Sequence, residues 1–397
     1  MDLHLPFIVR SVPTAATVPL LRRQESLQAV LDYTGDIISS ATPPATSHEL
    51  AECLLLYSTV LEVCRRGNIP LSVKARTPLL HPFFFALHEH CPAPGKSIIV
   101  FVVRHALFPP ALVPPGADRD YTDPLHCAPS AILPRARHWL QPTFSHAART
   151  IVYSTLQTLA DDLIRGFFVP LQAAGGQTPS SVSPLISPRS TGDVGSEQGT
   201  YSRLDGLRHS CLRCVVSRHL DWTAQTKHNR QHPDDLWDED TVNTEVANII
   251  PHSFNALAAN GSLGPARDAI DSPRNAITLA GDLHKRFGRL KWYLEPTGST
   301  PHCYTVHAVR GQRIEAWLRP PGGVVFFDAD GEVPPPDPRF IALHRACCLI
   351  LSMSGAGECA DNVLQDMNEL SGNGVHSADG SSDLAQYWNL MEIIGRV

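Results

Sequence analysis

The most constraining feature of this chain is residues 242–294, where two short apolar runs are separated by a loop and followed by a short helix. The first run, VNTEVANIIP, ends at Pro251, and the second begins directly after Asn275. The segment DLHKRF then carries His284 into a short helix. Two extended segments and a helix that present polar residues to one point predict an α+β unit with a small metal site.

Length and composition limit the class of protein. At 397 residues the chain is long enough for two or three domains, and its net charge of −6 argues against a broadly basic nucleic-acid coat. The ten cysteines show no regular framework and indicate reduced thiols. No convincing signal peptide and no uninterrupted apolar run of about 18 residues is present. We therefore expect a protein without a membrane span, in the cytoplasm or the nucleus.

The pattern along the chain predicts three regions. Residues 1–172 form a mainly helical region, with helices from Ser47 to about Arg66 and over 145–171, and a strand near 97–104. Residues 173–200 are small, polar and rich in Pro and Gly, which predicts a flexible linker. Residues 201–397 contain the central stretch, alternating segments typical of strands between 301 and 330, and apolar helices towards the C-terminus.

A zinc site upstream of the central stretch is one alternative. Cys211 and Cys214 form a CxxC pair, and His228 and His232 follow at a distance suitable for a zinc finger. However, the segment around the two histidines lacks the apolar helix face that a finger buries. Zn²⁺ is therefore the less favoured cation, and Mg²⁺ or Mn²⁺ in the central stretch is the alternative.

Within the central stretch, the residue types permit chemistry at a cation and at a phosphate. His284 can ligate a divalent metal, and Asn275 can either ligate a hard cation or fix a loop by bonding to backbone. The helix of His284 also presents cations that can approach a phosphate backbone, or that simply form a solvated face. These cations are Lys285, Arg286, Arg289 and Lys291.

The order of these motifs resembles the HNH nuclease domain common in fungal proteins. That family shows CVVTG, AHIIP, an Asn followed by an apolar run, and DLHxxFD, to which CVVSR, ANIIP, NAITL and DLHKRFG correspond here. The resemblance covers roughly residues 203–395. It implies a ββα-metal fold, with a first His as general base, a middle Asn matched by Asn275, and a last His matched by His284, which supports the divalent cation.

The sequence departs from the family pattern at Asn248, which occupies the position of the first His. An amide cannot accept a proton at neutral pH, so Asn248 cannot act as general base. His252 lies four residues further along the chain and is one substitute. Glu245 lies three residues before Asn248, and an odd spacing in a strand places it on the opposite face, which disfavours it. Gly288 replaces the Asp of the last motif.

Three functions remain open from the sequence. The first is a divergent HNH endonuclease that binds DNA through its basic helix and hydrolyses phosphodiesters through His252 or the metal alone. The second is a repurposed enzyme of the same fold in which Asn248, Asn275 and His284 line a site for a small molecule, for example in a cyclisation or isomerisation of fungal secondary metabolism. The third is a non-catalytic binding or regulatory protein.

Overall fold

The structure is a computed structural model that describes most of the central part of the chain. His252, Cys211 and the C-terminal tail lie outside the described residues, so the predictions about them stay predictions. The described residues are 47–69, 80–92, 132–141, 146–175, 212–251, 272–298, 300–327 and 334–371, with single positions between 96 and 107 and at 144.

All the elements described before residue 176 are helical. The predicted helices from Ser47 and over 145–171 are confirmed, and a π-helical turn at Ile164–Phe168 joins the two parts of the second one without interrupting it. The helices are α1 (Ser47–Gly67), α2 (Leu80–His90), α3 (Ile132–His138), α4 (His146–Leu163) and α5 (Val169–Gly175).

The predicted strand near 97–104 is wrong, because the described residues of this segment are helical. Val100, Val103 and Leu107 are all buried, at spacings of three and four residues. That spacing places them on one face of a helix, where they pack into the core with α1 and α2. The β-branched Val100 and Val103, which suggested a strand, therefore lie on the buried face of a helix.

The second half of the described chain combines helices with small sheets, which confirms an α+β composition. Three sheets occur among the described residues, and a helix follows the second of them directly. Their strands are β1 (Leu220–Asp221) parallel to β2 (Thr241–Val242), β3 (Thr244–Asn248) antiparallel to β4 (Ala276–Ala280), and β5 (Trp292–Pro296), β6 (Cys303–Ala308) and β7 (Val324–Phe326) in an antiparallel meander. The helices are α6 (Trp222–Gln231), α7 (Gly281–Gly288), α8 (Pro338–Ser354) and α9 (Ala356–Ser371).

Two apolar cores hold these elements together. One lies between β3, β4, α7 and the meander, and it includes Ile277, Leu283 and Trp292. The other joins α1, α2 and α4 to α8 and α9, so helices from both sides of the predicted linker share one core. Ile250 and Leu290, which lie at the two ends of the β3–β4–α7 segment, belong to this second core.

No single helix among the described residues is long and apolar enough to cross a membrane. One bent pair, Pro338–Ser354 with Ala356–Gln365, meets the criteria of length and composition only when its two helices are taken together across a 95° bend.

Candidate functional site

A carboxylate and an imidazole meet where α7 crosses β3. Nδ1 of His284 lies 2.5 Å from Oε2 of Glu245. The imidazole is buried, with 2% of its side chain exposed, whereas half of the Glu245 side chain is exposed. The pair therefore presents its carboxylate to solvent and its imidazole to the protein interior.

The alternation of side chains along β3 places Glu245 under α7. Glu245 pairs with Leu279 and Ala247 pairs with Ile277, so these four side chains share one face of the hairpin. Ala247, Ile277 and Leu279 pack in one core with Leu283 of α7. The helix α7 packs on this face and buries these apolar residues. Glu245 lies on the same face and therefore contacts His284 of the helix.

Asp221 fixes the start of β3 next to this pair. Its buried carboxylate accepts hydrogen bonds from the backbone N–H and the hydroxyl of Thr244, at 3.1 and 2.7 Å. Its other oxygen accepts from the N–H of Ala224 and so caps α6. The last residue of the CVVSRHLD segment therefore acts as a structural anchor beside the candidate site.

The start of α7 is fixed in the same way. The backbone N–H of Gly281 donates to the carbonyl of Asn243 at 3.1 Å. A Cβ on Gly281 would lie 3.6 Å from Oε1 of Glu245, so the carboxylate sits against the first turn of the helix. The N-terminal end of a helix favours a negative charge, which suits a carboxylate side chain at this place.

Asn275 holds the loop that follows β3. Its side chain is fully buried, its Oδ1 accepts from the N–H of Ile250 at 2.8 Å, and its Nδ2 donates to the carbonyl of the same residue at 2.7 Å. The backbone carbonyl of Asn275 also accepts from the N–H of Ile249 at 2.8 Å. Of the two roles predicted for Asn275, the structure contains the loop-fixing one, and metal ligation by Asn275 stays a prediction.

Asn248 lies at the end of β3, opposite Ala276, and its side chain is partly exposed. It is three residues from Glu245, which corresponds to about 10 Å along a strand. The odd spacing does put Glu245 and Asn248 on opposite faces, as predicted from the sequence. That spacing nevertheless does not remove Glu245 from the site, because the face of Glu245 is the one that α7 and His284 cover.

The four cations predicted to bind nucleic acid differ in their contacts. Lys291 forms an ion pair with Asp361 of α9 at 2.7 Å, and Arg286 donates to the carbonyl of Arg313 at 2.6 Å. Lys285 and Arg289 are exposed and form no ion pair with a described residue. Lys285 lies in α7 and Arg289 is the residue directly after it, and the backbone N–H of Arg289 donates to the carbonyl of Lys285 at 3.2 Å.

A buried histidine braces the opposite end of α7. The ring of His344 in α8 stacks on Phe287 at 3.7 Å, and its Nε2 donates to the carbonyl of Phe287 at 3.0 Å. Burial away from water lowers the pKa of His344 to about 4, because the charged imidazolium is the form that loses hydration. This histidine is therefore neutral near pH 7 and acts as a packing group.

The described residues contain no cluster of three or more His, Cys, Asp or Glu side chains suitable for a metal. Cys214 is buried, and its Sγ accepts from the N–H of Ala280 at 3.3 Å. His228 stacks on Trp237 at 3.7 Å, and its Nε2 bonds to the carbonyl of Asp235. These two members of the zinc pattern therefore have structural contacts of their own.

Comparisons with known proteins give one match. No curated protein and no solved structure matches the chain. The family model described as HNH endonuclease matches residues 214–295, about a fifth of the chain. The matched segment begins at Cys214 and contains β3, β4 and α7 with the Glu245–His284 pair. This part of the chain is thus similar in sequence to the HNH endonuclease family.

Proposed function

We propose that the protein is a divergent, divalent-metal-dependent endonuclease that hydrolyses phosphodiester bonds of DNA slowly. The observation that carries this proposal is the coincidence of the HNH endonuclease match with the β3–β4–α7 unit, in which His284 meets a carboxylate. This order of elements, an antiparallel hairpin followed directly by a helix, supports a ββα-metal core.

The donors at this site fit the cation that such a domain uses. An imidazole beside a carboxylate is a donor set suited to Mn²⁺, and Mg²⁺ in proteins is commonly held by only one or two carboxylates with the remaining positions left to water and phosphate. His284 would hold the cation. When bound, it offsets the negative charge that builds up on the phosphate during hydrolysis.

The surrounding residues have separable roles. Asn275 holds the loop after β3 through its two bonds to Ile250, and α7 presents His284 from its buried face. Lys285 of α7 and Arg289, directly after its end, are exposed and supply positive charge for a phosphate backbone. The chain thus has residues suited to bind a cation and a phosphate, but it has an amide at position 248 where the family has an imidazole.

The missing base predicts a slow reaction. A positioned general base contributes about 10²–10⁴-fold to the rate of a proton transfer. We expect weak nicking of supercoiled plasmid in Mg²⁺ or Mn²⁺ that EDTA abolishes, and we expect Asn248→His to raise the nicking rate at least tenfold. The control is Asn248→Gln, which keeps an amide and should remain at the wild-type rate.

The outcomes separate the three functions. No nicking by the wild type or by Asn248→His, with the cation bound, would contradict the proposal and leave the small-molecule and binding alternatives. Nicking that persists unchanged in His284→Ala would indicate a contaminating nuclease. A rate already at the level of Asn248→His in the wild type would point to His252 as the base.

A further inference from the structure

We infer that Glu245 is a direct ligand of the divalent cation, so that Glu245 and His284 together form the protein's part of the metal site. This inference rests on the proposed function for the identity of the cation. It assigns a role to a strand residue that lies three positions from the family's base position.

The geometry brings the two proposed ligands together. Nδ1 of His284 points at Oε2 of Glu245 across 2.5 Å, so two good donor atoms already converge on one another. In the absence of a cation, a shared hydrogen bond is what holds such a pair together. A cation would take the place of that proton once the carboxylate moves back, because two ligands that each lie about 2.1 Å from one cation stand about 3 Å or more apart.

Exposure indicates on which side of the imidazole the cation enters. The imidazole is almost completely buried, and the group at its Nδ1 edge is a half-exposed carboxylate. This edge therefore leads to solvent, where a DNA phosphate and water can complete the coordination. The Glu245 side chain can also move to admit the ion without disturbing the core, because half of it lies outside.

Asn275 is less suited to the second ligand position. Both its Oδ1 and its Nδ2 bond to the backbone of Ile250 in a fully buried place. Using its oxygen as a ligand would weaken the hydrogen bonds that hold the loop after β3. An amide oxygen is also a weaker ligand than a carboxylate for a hard cation. The Glu245 carboxylate, in contrast, is half-exposed and carries a negative charge when ionised.

Glu245→Gln tests whether binding of the cation depends on the Glu245 carboxylate. The amide of Glu245→Gln has the shape of the carboxylate and can still hydrogen-bond to Nδ1, but it binds divalent cations poorly. We expect Mn²⁺ affinity, measured by calorimetry on the full chain, to fall roughly tenfold or more in Glu245→Gln. The matched control is Asp282→Asn, which removes one exposed carboxylate from the first turn of the same helix and should change the affinity less than about threefold.

A ligand swap gives a spectroscopic test of direct contact. In Glu245→Cys loaded with Co²⁺, a thiolate ligand should produce a new sulfur-to-cobalt charge-transfer band in the difference spectrum against wild type. Asp282→Cys should produce none. The swap should also shift the preference of the site towards Zn²⁺, since thiolates favour softer cations.

The results distinguish this inference from the proposed function. Wild-type Mn²⁺ affinity in Glu245→Gln together with no new band in Glu245→Cys would overturn the ligand role, even where plasmid nicking is intact. Loss of Mn²⁺ affinity in Glu245→Gln together with a new band in Glu245→Cys would support it, even where the wild type does not cleave DNA. Loss of affinity without a new band would overturn the ligand role and leave Glu245 as a support of His284. Absence of Mn²⁺ binding to the wild type would overturn it as well.

Discussion

At the scale of single residues, the Asn275 side chain fixes the loop that follows β3. It is fully buried and both ends of its amide bond to Ile250. In Asn275→Ala, the N–H and the carbonyl of Ile250 lose their partners, and each buried unpaired group costs about 1–3 kcal/mol. We expect the free energy of unfolding, measured with urea, to fall by about 2–6 kcal/mol.

The control for this prediction is Asn248→Ala, which removes an amide of the same size from the partly exposed end of β3. Substitutions at the surface of a protein usually change its stability by no more than about 0.5 kcal/mol. Equal losses of unfolding free energy in the two variants would show that the two hydrogen bonds of Asn275 to Ile250 contribute no special stability.

His344 predicts a pH dependence of stability. Its pKa in the folded protein is about 4, below the value of about 6.5 in an unfolded chain, so the unfolded chain binds more protons between these two values. Stability therefore falls as the pH decreases from about 6.5 to about 4, by on the order of 3 kcal/mol from this group.

The variant His344→Gln removes the titrating group and retains a side-chain donor for the carbonyl of Phe287. Urea unfolding of both proteins at pH 7 and at about pH 4.5 should show a smaller loss of stability in the variant, because only the wild type takes up a proton at this position on unfolding. The variant should also be less stable at pH 7 through the lost stacking on Phe287. Parallel curves for the two proteins across this range would contradict the prediction.

Glu245 illustrates what strand alternation alone leaves undetermined. The spacing correctly separates Glu245 from Asn248, but it does not say which face the following helix covers. The signal was present in the chain, since Ala247, Ile277 and Leu279 form the apolar side of the hairpin and Glu245 stands on that side. Because α7 covers this apolar face, the polar residue on it, Glu245, is the one that contacts His284 of the helix.

Among the elements, α7 carries both the buried and the solvent-facing parts of the proposed site. The exposed Lys285 of α7 and Arg289, directly after its end, are expected to contact phosphates, whereas Lys291 forms an ion pair with Asp361. For the double variant Lys285→Ala/Arg289→Ala, we expect weaker binding to duplex DNA and a slope of log K against log[salt] that is smaller by about 2.

A matched control for α7 is available in α6. Lys227→Ala/Arg230→Ala removes an exposed Lys and Arg from a helix of similar length, next to the acidic residues that follow it. Fluorescence anisotropy at several salt concentrations measures both slopes. A similar loss in the two double variants would indicate a general charge effect in place of a phosphate contact by α7.

Helices with long amphipathic patterns were predictable, and the short apolar segment near 97–104 was not. In α1, α4 and α8 the apolar stripe repeats over several turns, so helix periodicity dominates. Near 97–104 the run is short and rich in β-branched residues, and periodicity over so few positions does not distinguish a strand from a buried helix. Only the packing of Val100, Val103 and Leu107 against α1 and α2 decides the conformation.

Across the whole molecule, the helices before the predicted linker and those at the C-terminal end form one core. Residues of α8, including Cys347, Ile350 and Leu351, are buried in a cluster with residues of α1 and α2. Gln172 of α5 also donates to the carbonyl of Arg289 at the end of α7. This shared core was not predictable from the sequence, because burial between segments distant in the chain leaves no local periodic signal.

The shared core predicts that residues 201–397 do not fold by themselves. Without α1, α2 and α4, the apolar face of α8 and α9 would be exposed to water, at a cost of about 25 cal/mol for each Å² of apolar surface. We expect the isolated fragment to aggregate or to lack a cooperative thermal transition. Fragments 1–200 and 201–397 produced together should co-elute as a 1:1 complex in size-exclusion chromatography. A monomeric, cooperatively unfolding fragment 201–397 that still binds Mn²⁺ would show that the endonuclease domain is independent of the helices.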